Sequence, residues 1–404
     1  MMRKISYGLL AVALAMTTAS CVNDDTDMDD IIAQYQVEPV NIELDYSELV
    51  EAADVPITDE ADSAYNDYVE NSSWNKVISI HYDGNVANVT GSVPGVIVQA
   101  SGAHVTVMNM SGPVKFVVSG TTADGSLKFY GDKRFQILLN GAAITNPHGA
   151  AINNQGSKSL YVVMADGTTN RLKDGATYTD VDEEDQKAAL FSEGQMIFSG
   201  SGELAVEAVG RGGIRSDDYI RVRPGTRISV NSSGLDGLRA NDGIILDGGV
   251  INILTTGAGA KGVRSGGVMT VNGGRLVAIS QGDCRIETTD GVVDTTACAA
   301  LYCDTLVTVN AGTIKLKASG DGGKGINAKQ HVVVKGGTIQ AVAVGARELK
   351  KPKGIKIDGN FSITGGNLYS YSRRSDPLDV SGTTTVAPGY VTYSLAPKVL
   401  TIAY

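Results

Sequence analysis

Three arginines recur at a nearly fixed interval. Arg215, Arg239 and Arg264 each follow a glycine and an aliphatic residue, in "GIRSDDYIRVRPGTRISVNSSG", "GLRANDGIILDGGVINILTTG" and "GVRSGGVMTVNGGRLVAISQG". Later phrases hold Tyr302, Asn327 and Lys356 at the same position. If each phrase is one turn of a repeat, these side chains stack on one outer edge. Positive charges at inter-strand spacing repel by about 0.9 kcal/mol in bulk water, and by more near a protein surface. Such a row calls for an anion. Carboxylates along a uronic acid polymer meet guanidinium groups in bidentate fashion, which suits Arg better than Lys. The alternative is internal: Asp217, Asp218 and Asp242 lie two or three residues downstream and can interleave with the arginines as a salt-bridge ladder.

A second chemistry is metal binding. Asp236, with Asp217, Asp218 and Asp242, places hard oxygen ligands in glycine-rich corners, where two carboxylates from adjacent coils plus carbonyls and water would satisfy calcium. Corner aspartates also serve simply to support turns. Tyr369 and Tyr371 project to the same side of a strand, with Arg373 beyond them, and suit either stacking on a sugar ring or covering the last coil. Hydrolysis of a glycosidic bond needs a spaced carboxylate pair in contrasting surroundings, and none recurs on one strand face. For β-elimination of a uronate, Arg239 or Lys261 beside Asp236 is the one place to build a site. The reading is therefore a non-enzymatic binder, with a lyase or hydrolase, or a purely structural rod, as alternatives.

The elements that must position these residues are short strands. An aliphatic-x-aliphatic-x-Gly-Gly-x-aliphatic pattern recurs as "IILDGGVIN", "MTVNGGRLV", "VTVNAGTIK", "VVVKGGTIQ" and "FSITGGNLY", with a degenerate "IRVRPGTRI" in front. Its phase is marked by Gly225, Gly248, Gly273, Ala311, Gly336 and Gly365, at intervals of 23, 25, 38, 25 and 29 residues. Alternation with period two argues strands, and Gly, Asn and Asp punctuation argues sharp corners. One such repeat cannot bury its inward face, but stacked repeats can. The expectation is an all-β, right-handed, single-stranded parallel β-helix of about ten coils. Val222, Leu246, Val271, Val309, Val334 and Ile363 would form one interior ladder. Ile228, Ile251, Leu276, Ile314, Ile339 and Leu368 would form a second.

The chain of 404 residues has 44 acidic against 34 basic side chains, which disfavours nucleic acid as a partner. Residues 1–20, with a basic start, the apolar "ISYGLLAVALAM" and a small-residue site, read as a signal peptide of the lipoprotein kind, with Cys21 the lipidated residue. The apolar stretch is too short to span a bilayer. Residues 21–75 read as an acidic tether carrying at most one short helix, 76–382 as the β-helix and 383–404 as a C-terminal cap. The acidic "VDEEDQK" at 181–187 reads as a solvated loop. Of the remaining cysteines, Cys284 and Cys298 would close the insertion between them if paired, leaving Cys303. His81, His104, His148 and His331 are scattered, which argues against zinc.

"FQILLNGAAITNPHGAAI", "LYVVMADGTTNRLKDGATYT", "AALFSEGQMIFSGSGELAVEA" and the following Gly-aliphatic-Arg/Lys coils resemble the acidic-polysaccharide-binding β-helix family of bacterial surface proteins, from about Val77 to Val380. That resemblance implies a pectate-lyase-like shape without catalysis, calcium in the corner loops, and binding of pectin-like or cellulosic polymers. The family places Asp before the Gly of each phrase. Here Asp236 keeps it, while Gly212, Lys261, Lys324 and Lys353 take the equivalent places. The "VNDDTDMDD" after Cys21 resembles the tether that sends lipoproteins to the outer face of the outer membrane. The expected whole is a cell-surface, lipid-anchored binder of a polygalacturonate-like polysaccharide.

Overall fold

The computed structural model describes residues 38–388, 391–395 and 399–403. Residues 1–20, which read as a signal peptide, and Cys21 lie outside them. The chain divides into Met1–Val40, of which residues 38–40 are described and carry no regular structure, and Asn41–Tyr404.

The second unit is a right-handed parallel β-helix of about eleven coils. A representative coil contributes Gly212–Ser216 to a first face, Tyr219–Val222 to a second and Arg227–Ser232 to a third. The next contributes Leu238–Ala240, Gly243–Leu246 and Val250–Thr255, each hydrogen-bonded in parallel to its counterpart below. Both interior ladders form in register. Val222 pairs with Leu246, then Val271, Val309, Val334 and Ile363. Ile228 pairs with Ile251, then Leu276, Ile314, Ile339 and Leu368. All of these side chains are buried in one continuous core. The alternating pattern selects which side chains enter, and coil stacking supplies the hydrogen bonds that a lone repeat lacks.

The glycine pairs have two jobs at the corner between the second and third faces. Gly249, Gly274, Gly312, Gly337 and Gly366 have φ between +76° and +90°. At each, a Cβ would come within 2.5–2.7 Å of a backbone atom of the coil beneath. Left-handed backbone and close approach both demand glycine at the second residue of the pair.

The two ends are closed by antiparallel pairing, which removes open sheet edges. Val86–Thr90 pairs with Val77–Asp83, and Val96–Ser101 with His104–Asn109. At the other end the strand Thr384–Val386 still belongs to the second face, so the cap begins later than residue 383. It is the hairpin Val391–Leu395 with Val399–Ala403, whose second strand pairs with Asn367–Ser372.

Residues 41–75 are not a free tether. They form a belt strapped over the second and third faces by carboxylates. Asp45 exchanges hydrogen bonds with Asn252 at 2.9 Å each way and faces Lys315 at 3.1 Å and Arg275 at 3.4 Å. The hydroxyl and amide of Ser47 together with Lys315 hold the Asp45 carboxyl down to about 2 against the opposing effect of burial. Glu51 accepts the backbone N–H groups of Gly225 and Gly249. Arg223, 1% exposed, is gripped by Asp54 and Glu70 at 2.7 Å each, with its guanidinium 4.3 Å from the ring centre of Tyr68. Arg221 bridges Asp67 and Asp247. The short-helix expectation reduces to two 3₁₀ turns, Tyr65–Asp67 and Val69–Asn71. The acidic composition that reads as solvated is here a set of counter-ions for cations of the helix.

The Cys284–Cys298 bridge is absent. Cys284, Cys298 and Cys303 are buried free thiols, and the insertion is closed by the antiparallel pair Arg285–Thr289 and Val292–Thr296 instead. The Cys284 thiol donates to the Asp321 carbonyl at 3.0 Å.

Candidate functional site

On the first face, Lys128, Asn153, Phe191, Arg215, Arg239, Arg264, Tyr302, Asn327, Lys356 and Asp379 follow one another in register. The three arginines therefore do stack on one edge, at a spacing of about 4.8 Å. They carry their own counter-ions. Arg215 contacts Asp217 at 3.0 Å, and both Arg239 and Arg264 face Asp236 at 3.7 Å. Burial, reinforced by the flanking Arg264 and Arg215, lowers the pKa of Arg239. Of the ladder alternative, Asp217 takes its part. The other two carboxylates, Asp218 and Asp242, do not pair with the arginines.

The start of this row is covered. Residues 180–183 are exposed, as a solvated loop should be, but Glu184–Lys187 fold onto it. Glu184, with its side chain 7% exposed, takes Lys128 at 2.8 Å and the Tyr130 hydroxyl. The side-chain amide of Gln155 donates to the Asp185 carbonyl and its oxygen accepts the Asp185 N–H. Lys187 bonds Asp185 and Asp217, and these contacts raise its pKa although burial acts to lower it.

The calcium set is not assembled. The carboxylate of Asp236 faces two guanidinium groups and accepts the Lys261 backbone N–H at 2.8 Å, a cationic surrounding that does not fit a second cation. The Asp218 carboxylate accepts the N–H of Tyr219. Asp185, Glu193 and Asp217 bring carboxylate oxygens within 4.8 Å of one another, but the ammonium group of Lys187 already joins Asp185 to Asp217.

The far end of the row is open and basic. A cleft of about 560 Å³ is walled by the hairpin residues Asp294–Ala297 on one side and by the loop holding Lys350 and Lys351 on the other. Its floor comes from the first face. Lys324 and Lys353 are adjacent in register with each other, and Lys261 reaches the same column through Ala299. These are the places where the resemblance calls for Asp. Lys329 and Lys356 complete the basic lining, and Tyr302, Asn327, Asp294 and Asp379 supply the remaining polar groups.

Not all of this charge is compensated within the molecule. Lys329 and Lys356 share Asp358, and Lys353 takes Asp376 and Asp379. Among the described residues, Lys261, Lys324, Lys350 and Lys351 have no carboxylate partner within 4.0 Å. Lys261 and Lys324 are buried, and their ammonium groups donate only to the carbonyls of Gly259 and Gly322. Burial pulls both down to about 8. Beside them the side-chain oxygen of Asn327 is buried and without a hydrogen-bond partner, an acceptor waiting for a donor. Tyr302 stands between the arginine row and the cleft, with the Arg264 guanidinium 5.2 Å from its ring centre and its hydroxyl donating to Asp304.

The sequence places Lys356 in this region and offers Lys261 only as a partner of Asp236 for β-elimination, while Lys324, Lys350 and Lys351 are not among its candidate site residues. For Lys324 the signal was present, as lysine in place of the family's aspartate. Burial removes Tyr371 from the stacking proposal. Tyr371 is 7% exposed, Tyr369 is half-buried, and both lie on a strand paired with Val399–Ala403. Arg373 is exposed on the third face, away from the first-face row.

The family described as "carbohydrate-binding domain-containing protein" matches residues 101–321 and 302–398. A protein of that description from Acetivibrio thermocellus is 30% identical over 117 residues, which are 28% of this chain and 41% of that relative's length. A solved structure titled a polysaccharide lyase-like protein from C. thermocellum covers 77% of this chain and 97% of its own, at 20% identity and a TM-score of 0.48.

Proposed function

The chain belongs to the family of carbohydrate-binding domain-containing proteins, and from that premise we propose that it binds an acidic polysaccharide along the lysine cleft of the first face without cleaving it. One observation carries the reading: four lysines of a single cleft lack a carboxylate partner among the described residues, and two of them, Lys261 and Lys324, are buried, whereas the buried Arg221, Arg223, Arg275 and Lys353 each have one. A polymer with regularly spaced carboxylates would supply those partners across successive coils. Asn327 would add a hydroxyl contact.

Gel electrophoresis through polygalacturonate tests this. Retardation at low salt is expected, lost as salt rises and equal in calcium and in EDTA. Unretarded migration at low salt would remove the reading. A lyase is the second reading, because Lys261 and Lys324 at about 8 fall in the range of a general base. New ultraviolet absorbance from unsaturated uronate would establish it. A glycoside hydrolase needs one carboxyl kept protonated by an apolar surrounding, and a row of ammonium groups is the opposite condition.

The proposal includes the anchor. Cys21 would carry lipid and hold the binding domain at the outer face of the outer membrane, and Cys21→Ser should release the protein from the membrane fraction. Persistence of that variant in the membrane fraction would count against it.

A further inference from the structure

We infer that the cleft is built for sulfate esters, so that the polysaccharide it holds is a sulfated one; this rests on the acidic-glycan reading and narrows it. The first ground is the kind of cation. A guanidinium presents a fixed fork that grips a carboxylate or a phosphate in two-point fashion, whereas an ammonium is a compact point charge with rotatable donors that imposes no planar, two-point geometry on its partner. The guanidinium groups of this row, Arg215, Arg239 and Arg264, already face Asp217 and Asp236. The cleft beyond them is lined by lysines and has no arginine in its wall. Tetrahedral oxyanions present oxygens in several directions, and they fit ammonium groups arriving from floor and rim alike.

The second ground is charge density. Lys261 and Lys324 on the floor and Lys350 and Lys351 on the rim leave four positive charges without a carboxylate partner around about 560 Å³, a volume that holds a short stretch of glycan rather than a long one. A uronate brings one charge per acidic sugar. A sulfated sugar adds anionic groups at hydroxyl positions along the same ring, so a short stretch matches the cleft. The third ground separates a glycan from a free anion. Asn327 lines the cleft, and its side-chain oxygen is buried and lacks a donor. A fully ionised sulfate offers none, and a sugar hydroxyl does.

Chondroitin sulfate and chemically desulfated chondroitin share a backbone and differ in the ester. Isothermal titration with the full chain should give an affinity about tenfold higher for the sulfated form, the worth of one added charge-assisted hydrogen bond. The variant Lys350→Met/Lys351→Met, on exposed positions that do not disturb the fold, should erase most of that preference. Equal affinity for the two polymers, alongside retained polygalacturonate binding, would overturn the sulfate inference and leave the acidic-glycan reading intact. Failure to bind any of the three would sink both. A sulfate preference that survives in the double variant would place the ester elsewhere and equally overturn the inference. Inorganic sulfate alone should compete only weakly, because it leaves Asn327 without a donor; competition matching the polymer would reduce the cleft to a simple anion trap.

Discussion

At the N-terminal end of the first face, Lys128 is met by Glu184 and Lys187 by Asp185 and Asp217. At the C-terminal end, Lys261 and Lys324 meet only backbone carbonyls, and Lys350 and Lys351 have no carboxylate partner among the described residues. The backbone is the same parallel ladder throughout. What differs is whether the chain lays its own anions over the row. The loop 180–187 does so on the early coils, as the belt of residues 41–75 does on the other two faces. The other buried cations, Arg221, Arg223, Arg275 and Lys353, each come with a carboxylate, and it is against them that the uncompensated buried lysines of the open end support the binding proposal.

The most forceful way to break that contrast is to invert the charge of the open end. Lys350→Glu/Lys351→Glu should weaken acidic-glycan binding by about 3 kcal/mol, roughly a hundredfold, since two attractions are removed and two repulsions added. Thermal unfolding should be unchanged, because both side chains are exposed. An unaltered dissociation constant would show that the cleft is not the binding surface.

The converse variant acts on the closed end. Glu184→Ala strands Lys128 and the Tyr130 hydroxyl beneath the loop and should lower stability by about 2 kcal/mol, a shift of a few degrees in melting temperature. Because it uncovers a lysine, it should also bring slight new retardation on polygalacturonate. A variant that melts at the parent temperature would mean the loop is not held as described.

Titration separates the ends without mutation. Lys261 and Lys324, at about 8, are largely protonated at pH 7 and largely neutral at pH 9, so binding should fall about tenfold across that interval. Stability should move the other way. Below pH 8 folded and unfolded chains both carry the proton, and the folded one bears the cost of burying it. Between pH 8 and the ordinary lysine value of 10.5 the folded chain releases protons that the unfolded chain keeps, so these two groups make stability rise with pH there. Lys187, raised by Asp185 and Asp217, keeps its charge through the same interval and contributes nothing to the loss of binding. A flat binding profile from pH 7 to 9 would remove the buried lysines from the site.

How much of this could be read from the chain alone follows from range. The ladder of Val222, Leu246 and Val271 is written in a local alternation and a constant phase, and the fold follows from it. Stacking of Arg215, Arg239 and Arg264 needed only that phase. The belt was hidden because Asp45 and Glu70 find partners more than 150 residues away, and an acidic, weakly apolar segment with distant partners looks like one with none. The cleft was hidden for a related reason. It joins a floor residue such as Lys324 to a hairpin and a loop from different coils, and each lysine on the floor reads locally as a missing aspartate. Burial of Tyr371 depends on the register of the terminal strand, which no alternation announces.

The smallest effect probes the boundary between the two ends. Asp236 is shared by Arg239 and Arg264 at 3.7 Å, a distance at which a partly exposed pair is worth a few tenths of a kcal/mol. Asp236→Asn keeps an oxygen to accept the Lys261 N–H and removes the charge. Arg239, whose guanidinium is already disfavoured by burial and by the arginines on either side, then loses its nearest anion. If a polyanion in the cleft extends along the row past Tyr302, the freed guanidinium groups should tighten its binding about twofold. Unchanged affinity would confine the ligand to the lysine end and leave the arginines a structural ladder; weaker affinity would mean that Asp236 orders the cleft through Lys261.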